Sequence, residues 1–142
     1  MTRNESIVKT FNNFNGKNFE VLRLFYSEDI EFVDPISRIH GLSQLEKHYE
    51  KLYLNVKKIS FNFSDIYHDG DNSMASWTME ISVKGLNLGR TFQVDGISVF
   101  KFNSYDRVYY HRDYFDLGQM VYEKLPVQGF IIKAIKHLLK SK

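Results

Sequence analysis

The sequence contains no cysteine, which excludes disulfides and thiolate metal ligands. Proline is almost absent, with only Pro35 and Pro126, so few positions are barred from helix or sheet. No apolar run approaches the length needed to span a bilayer. Residues 1–6 are polar and lack the apolar stretch of a signal peptide, so the expected location is the cytoplasm. A net charge of +2 is too small to point to nucleic acid. That charge is unevenly spread: five lysines and no acid follow from Lys124 onward, after 14 basic and 17 acidic side chains. No two histidines have the spacing of a zinc-binding helix, so no metal and no other cofactor is implied.

What the sequence has in abundance is aromatic residues: 12 Phe and 9 Tyr, with a single Trp. Aromatics favour sheets, and they also line cavities for flat apolar ligands. A length of 142 residues suits one domain with an ordinary core.

Periodicity divides the chain in two. Ile7, Val8, Phe11 and Phe14 fall at helical spacing within residues 4–14, and Gly16 ends the run. Asn18 is placed to cap a second helix carrying Phe19, Leu22 and Phe25. A short extended piece, Ile30 to Asp34, stops at Pro35. Ser43 and Glu46 form a capping-box pattern opening a third helix with Leu45, Tyr49, Leu52 and Val56 on one side. The period then becomes two at Ile59, Phe61 and Phe63. Turn signals at Asp69-Gly70, Lys84-Gly85 and Asn103 to Asp106 mark four antiparallel strands over 57–68, 73–84, 89–102 and 107–116. Helices followed by a long meander predict an α+β fold with the helices gathered on one face of a curled sheet, a cone able to enclose a cavity. Pro126 starts a final amphipathic helix over 126–140, with Phe130, Ile131, Ile135 and Leu138 on its apolar stripe. Docking on the domain is its expected arrangement, and contact with an anionic membrane is the alternative.

Two stretches carry a family resemblance. IEFVDPISRIHG, Ile30 to Gly41, resembles the segment of ketosteroid isomerase in which an aspartate before proline is the general base, followed by a His-Gly helix entry. Asp34 matches that base. VDGISVFKF, Val94 to Phe102, leads to HRDYFD, His111 to Asp116, which is similar to the limonene epoxide hydrolase motif whose first aspartate is catalytic. Asp113 matches it. Over residues 5–120 the chain resembles SnoaL-like and ketosteroid-isomerase-like members of the nuclear transport factor 2-like superfamily. The resemblance implies a cystatin-like cone of three N-terminal helices on a curled, mainly antiparallel sheet.

The chain departs from both catalytic sets. Ungapped counting puts Thr10 where the isomerases carry an oxyanion tyrosine, and Ser98 where they carry a protonated acid. Trp77 and Met79 occupy the stretch where the epoxide hydrolases carry an arginine and a second aspartate, and Asp34 replaces their water-binding asparagine. SnoaL-like polyketide cyclases, which work with an aspartate on the late strands and close a ring by metal-free aldol chemistry, resemble this arrangement more closely.

Asp34, Asp113 and His111 are therefore the candidate catalytic residues. Asp113, His111 and Phe115 share one strand face, because side chains alternate, and an imidazole and a carboxylate two apart can share a proton. The plainer alternatives are a turn aspartate bonded to local backbone for Asp34 and a satisfied polar pair for His111 and Asp113. Trp77, Met79, Ser98, Phe100, Phe115, Tyr26 and Tyr53 are the candidate substrate-binding residues, with core packing the commoner role for any one aromatic. His40 reads as structural. Ile97 and Val99, on the parity opposite Ser98 and Phe100, predict an apolar convex face and a homodimer. Two functional readings stand at this point. One is an enzyme of isomerase, cyclase or hydratase type acting on a small apolar molecule. The other is a non-catalytic ligand-binding or dimerising module of the same fold.

Overall fold

The computed structural model describes residues 1–116 and 137–139. Its elements in chain order are α1 (Arg3–Asn13), α2 (Glu20–Phe25), β1 (Tyr26–Val33), β2 (Arg38–His40), α3 (Leu42–Tyr53), β3 (Val56–Asp69), β4 (Asn72–Val83), β5 (Phe92–Phe102) and β6 (Val108–Phe115). The strands form one six-stranded sheet in the order β2-β1-β6-β5-β4-β3. Only the β1–β6 pairing is parallel. The predicted α+β architecture is present, with three helices against a curled sheet that does not close.

Helix starts differ from the sequence reading. A capping box does occur, but on α1: Thr2 Oγ1 accepts from the Glu5 amide, and Glu5 reaches back to the Thr2 amide. The pattern at Ser43 and Glu46 does not cap α3, which begins at Leu42 with Gly41 as its N-cap. Glu46 is taken instead by Arg23, 2.8 Å away on α2. Nor does Asn18 cap α2. Its carboxamide bridges backward, accepting from the Asn15 amide and donating to the Asn13 carbonyl, so it shapes the α1–α2 loop.

The strands follow the predicted meander with two additions and one correction. β1 starts at Tyr26, directly after α2, rather than at Ile30. A register shift between Tyr26 and Glu31 breaks the alternation that would have marked its first half. β2 is a three-residue edge strand paired with β1. β5 begins at Phe92, not residue 89, because Asn87–Gly89 form a 3₁₀ turn held by Ser82 Oγ donating to the Gly89 carbonyl. At the far end of the sheet, Arg3 ties α1 to two turns by pairing with Asp71 and Asp106 at 2.7 and 2.8 Å. The predicted helix over 126–140 lies outside the described residues except for 137–139, which are helical.

Register decides which side chains meet on the inner face. Phe32 of β1 pairs with His111, His111 with Phe100, and Phe100 with Ser73. The next rung holds Asp113, Ser98 and Ala75, and the one after it Phe115, Gly96, Trp77 and Phe63. Against the first rung lies a core of Ile7, Leu22, Phe25, Tyr26, Leu45 and their neighbours. Around Trp77 a second cluster gathers Met79, Ile81, Phe92 and Val94.

Candidate functional site

His111 lies at the centre of the inner face, only 1% exposed. Its ring sits among Phe100, Phe32 and Phe11, with centroids 4.4, 4.9 and 5.7 Å away. An imidazole so enclosed is costly unless both nitrogens are paired. Both are. Nδ1 lies 2.6 Å from the Tyr26 hydroxyl, and Nε2 lies 2.6 Å from Asp113 Oδ1. The chain of contacts continues both ways. The Tyr26 hydroxyl is 3.3 Å from that of Tyr49 on α3. On the other side, Ser98 Oγ donates to Asp113 Oδ1 at 2.5 Å, and the Trp77 indole N–H donates to Ser98 Oγ at 2.8 Å. Six side chains from α3 and four strands thus form one hydrogen-bonded line: Tyr49, Tyr26, His111, Asp113, Ser98 and Trp77.

The carboxylate is the exposed member of this line. The Asp113 side chain is 20% exposed, and both of its hydrogen bonds converge on Oδ1. Among the described residues Oδ2 has no hydrogen-bond partner. Trp77 and Phe115 stand beside it, their rings 6.5 Å apart. The indole lies across Gly96: a Cβ built there would sit 2.3 Å from Trp77 Cη2. A glycine in mid-strand signals close approach of another group, and Gly96 carries that signal in the sequence. Helical spacing puts Tyr49 on one side of α3 with Leu45, but its hydroxyl contact gives no sequence signal.

The other predicted residues are placed as follows. Met79, Phe100 and Phe115 share the Asp113 face, with Met79 and Phe100 buried. Tyr53 makes no hydrogen bond to the line among the described residues; its ring packs on Phe14, on Tyr49 at 6.4 Å and over Gly16. Thr10 does not reach His111, and α1 presents Phe11 there instead, so the helix offers no hydroxyl at that point. Asp34 makes a local turn, its Oδ1 accepting from the Ile36 and Ser37 amides at 2.9 and 2.7 Å. No hydrogen bond joins it to the line among the described residues. His40 pairs across the edge of the sheet with Glu31. Among the described residues, one surface groove of about 310 Å³ lies beside α1 and another of about 740 Å³ lies between Arg23, Glu46 and Tyr105. Tyr26 is the one predicted site residue that lines either of them.

Burial acts on the tyrosines. It raises the Tyr26 and Tyr49 phenols well above their ordinary value and pushes Tyr53 up to about 12. It also lowers His48, against an opposing pull from Asp34.

With this geometry established, comparison with known proteins places the fold in the class of NTF2-like cones. The SnoaL-like domain family model matches residues 7–111, and the chain belongs to that family. No curated protein matches it. Among solved structures, a putative SnoaL-like polyketide cyclase from Shewanella putrefaciens is similar at a TM-score of 0.74 and 19% identity, covering 89% of this chain and 98% of that one. An NTF2-like protein of unknown function from Burkholderia pseudomallei gives a TM-score of 0.74 at 14% identity, covering 84% and 95%. A limonene-epoxide-hydrolase-like epoxide hydrolase of Mycobacterium tuberculosis gives 0.67 at 18% identity, covering 94% and 93%. Identities this low establish shared fold and no more.

Gly96→Ala should push the indole off the strand and break its bond to Ser98, costing about 1–3 kcal/mol as an overpacked site. Trp77 is the only tryptophan, so its fluorescence should shift while the sheet persists by circular dichroism. A phenol with a raised folded-state pKa binds more protons folded than unfolded at alkaline pH, so stability should be fully present below about pH 10 and fall as pH rises toward about 12. His48 acts in the opposite direction, removing stability as pH drops below about 6.5. Tyrosinate absorbance followed together with denaturant midpoints should show Tyr26, Tyr49 and Tyr53 ionising only with unfolding.

Proposed function

We propose that this SnoaL-like protein is an acid–base enzyme of isomerase, cyclase or hydratase type acting on a small, largely apolar organic molecule. One observation carries the proposal. Asp113 has one oxygen anchored by His111 and Ser98 and the other uncommitted among the described residues, in a partly exposed setting beside Trp77 and Phe115. A fixed carboxylate with a free oxygen is suited to taking a proton from a carbon beside a carbonyl. The same group returns the proton elsewhere in isomerisation, or the enolate attacks a second carbonyl in cyclisation. Trp77, Met79 and Phe115 would supply an apolar lining. Ser98, at the position where the isomerases hold a protonated acid, donates to Asp113 and so serves to position the base.

Asp34 has a smaller part in this reading, since one of its oxygens is engaged by the turn that follows β1. That engagement is also the observation favouring the second reading, a ligand-binding module without chemistry. Asp113→Asn should leave the melting temperature near wild type and lower turnover by roughly 10²–10⁴-fold. The substrate would first be sought among enones, epoxides and polyketide-like esters. Asp34→Asn, assayed beside it, separates the two carboxylates, and full activity in the double variant would assign both a structural role.

We also propose that the protein pairs as a homodimer through the convex face. Tyr67, Met74 and Val99 lie in one cross-strand row there, with Ile97 and Tyr114 in the next, and four of these five are exposed. An isologous contact would bury this apolar strip. Sedimentation at micromolar concentration should give twice the chain mass, and Ile97→Lys should return a monomer.

A further inference from the structure

We infer that Tyr26 is a positioning residue whose hydroxyl reverses its direction, so that the enclosed His111 is fully hydrogen-bonded both as a neutral imidazole and as a cation. The inference rests on the reading of Asp113 as the proton-transferring group only for its effect on turnover. The hydrogen-bond directions themselves belong to the resting protein.

The directions can be worked out from the ends of the line. The Trp77 indole N–H can only donate, so Ser98 Oγ accepts there and turns its own proton to Asp113 Oδ1. Asp113 Oδ1 is therefore an acceptor, and its approach of 2.6 Å to His111 Nε2 requires the imidazole proton on Nε2. In the neutral ring Nδ1 is then an acceptor, and its partner at 2.6 Å must donate. Tyr26 is that donor, and its oxygen in turn accepts from Tyr49 at 3.3 Å.

When the ring gains a second proton, Nδ1–H becomes a donor and needs an acceptor. Phe11, Phe32 and Phe100 close the other sides with ring carbons, and the titratable groups facing the imidazole are Tyr26 and Asp113, with Tyr49 behind Tyr26. A fixed donor at this point would forbid the cation, and a fixed acceptor would forbid the neutral ring. A phenol does both: it accepts from Nδ1–H and turns its own proton toward the Tyr49 oxygen. Burial keeps both phenols protonated over the working range, so each always has a proton to redirect. Imidazole charge can therefore change beside Asp113 with both ring nitrogens paired in either state, where an unpaired buried N–H would otherwise oppose each transfer.

The test is nitrogen-15 magnetic resonance on protein with labelled histidine, followed through a pH titration. In wild type the neutral His111 ring should carry its proton on Nε2, and the cation should form with Nδ1–H bonded to oxygen. In Tyr26→Phe the same Nε2–H form should persist, while the cation should form only at a lower pH than in wild type, as expected for an unaccepted buried N–H. Tyr49→Phe removes the acceptor of the reversed Tyr26 proton while keeping Tyr26, and should shift the titration in the same direction. Turnover in Tyr26→Phe should fall about tenfold in kcat with KM held. A proton on Nδ1 in the neutral wild-type ring overturns the inference, even if Tyr26→Phe cannot be folded. So does an unchanged titration in Tyr26→Phe. Neither result touches the activity loss expected of Asp113→Asn, and a fully active Asp113→Asn would leave the imidazole result standing.

Discussion

An imidazole enclosed by phenyl rings sets a constraint that much of this structure serves. His111 has almost no contact with water, so both nitrogens must find partners within the protein. One partner comes from two residues along its own strand, the other from the start of β1, and each is supported by a further hydroxyl. Without the parallel β1–β6 pairing, Tyr26 would have no route to Nδ1. Without antiparallel β5–β6 register, Ser98 would not stand opposite Asp113.

The same constraint explains why one oxygen of Asp113 is tightly held while the other is not. Ser98 and His111 approach Oδ1 from within the sheet and the core, leaving Oδ2 uncommitted among the described residues. A base with one oxygen anchored keeps its orientation at little entropic cost on binding, an advantage for proton transfer. Gly96 contributes by what it lacks. With no Cβ there, the indole can lie against the strand and place its N–H on Ser98.

The resemblance to two catalytic sets pointed to two aspartates, and the structure treats them differently. Asp113 joins an extended polar network through the core, whereas Asp34 holds a turn by accepting two backbone amides. An aspartate before proline satisfies local donors readily, and such bonds require nothing from the rest of the fold. The SnoaL-like family match and the NTF2-like cone describe the frame. The chemistry proposed for it rests on the side chains around Asp113.

Local pattern was enough to determine a good deal of this protein. The change from helical to twofold period, the turn signals and the alternation along 107–116 yielded the α+β class, the meander and the shared face of His111 and Asp113, because those features depend on neighbours within a few residues. Helix starts differ from the local pattern at Asn18 and Ser43, where Asn18 serves the α1–α2 loop and Glu46 of the Ser43 pattern pairs with Arg23. Tertiary structure alone decided that Tyr26 meets His111, that Tyr49 backs Tyr26, and that Phe11 takes the place expected for Thr10. Residues 26 and 111 meet through a parallel pairing whose register shifts partway along, and a shift of one residue there would turn the opposite face to the core. Periodicity reports which face a side chain occupies, but not which distant strand will lie beside it or in what register.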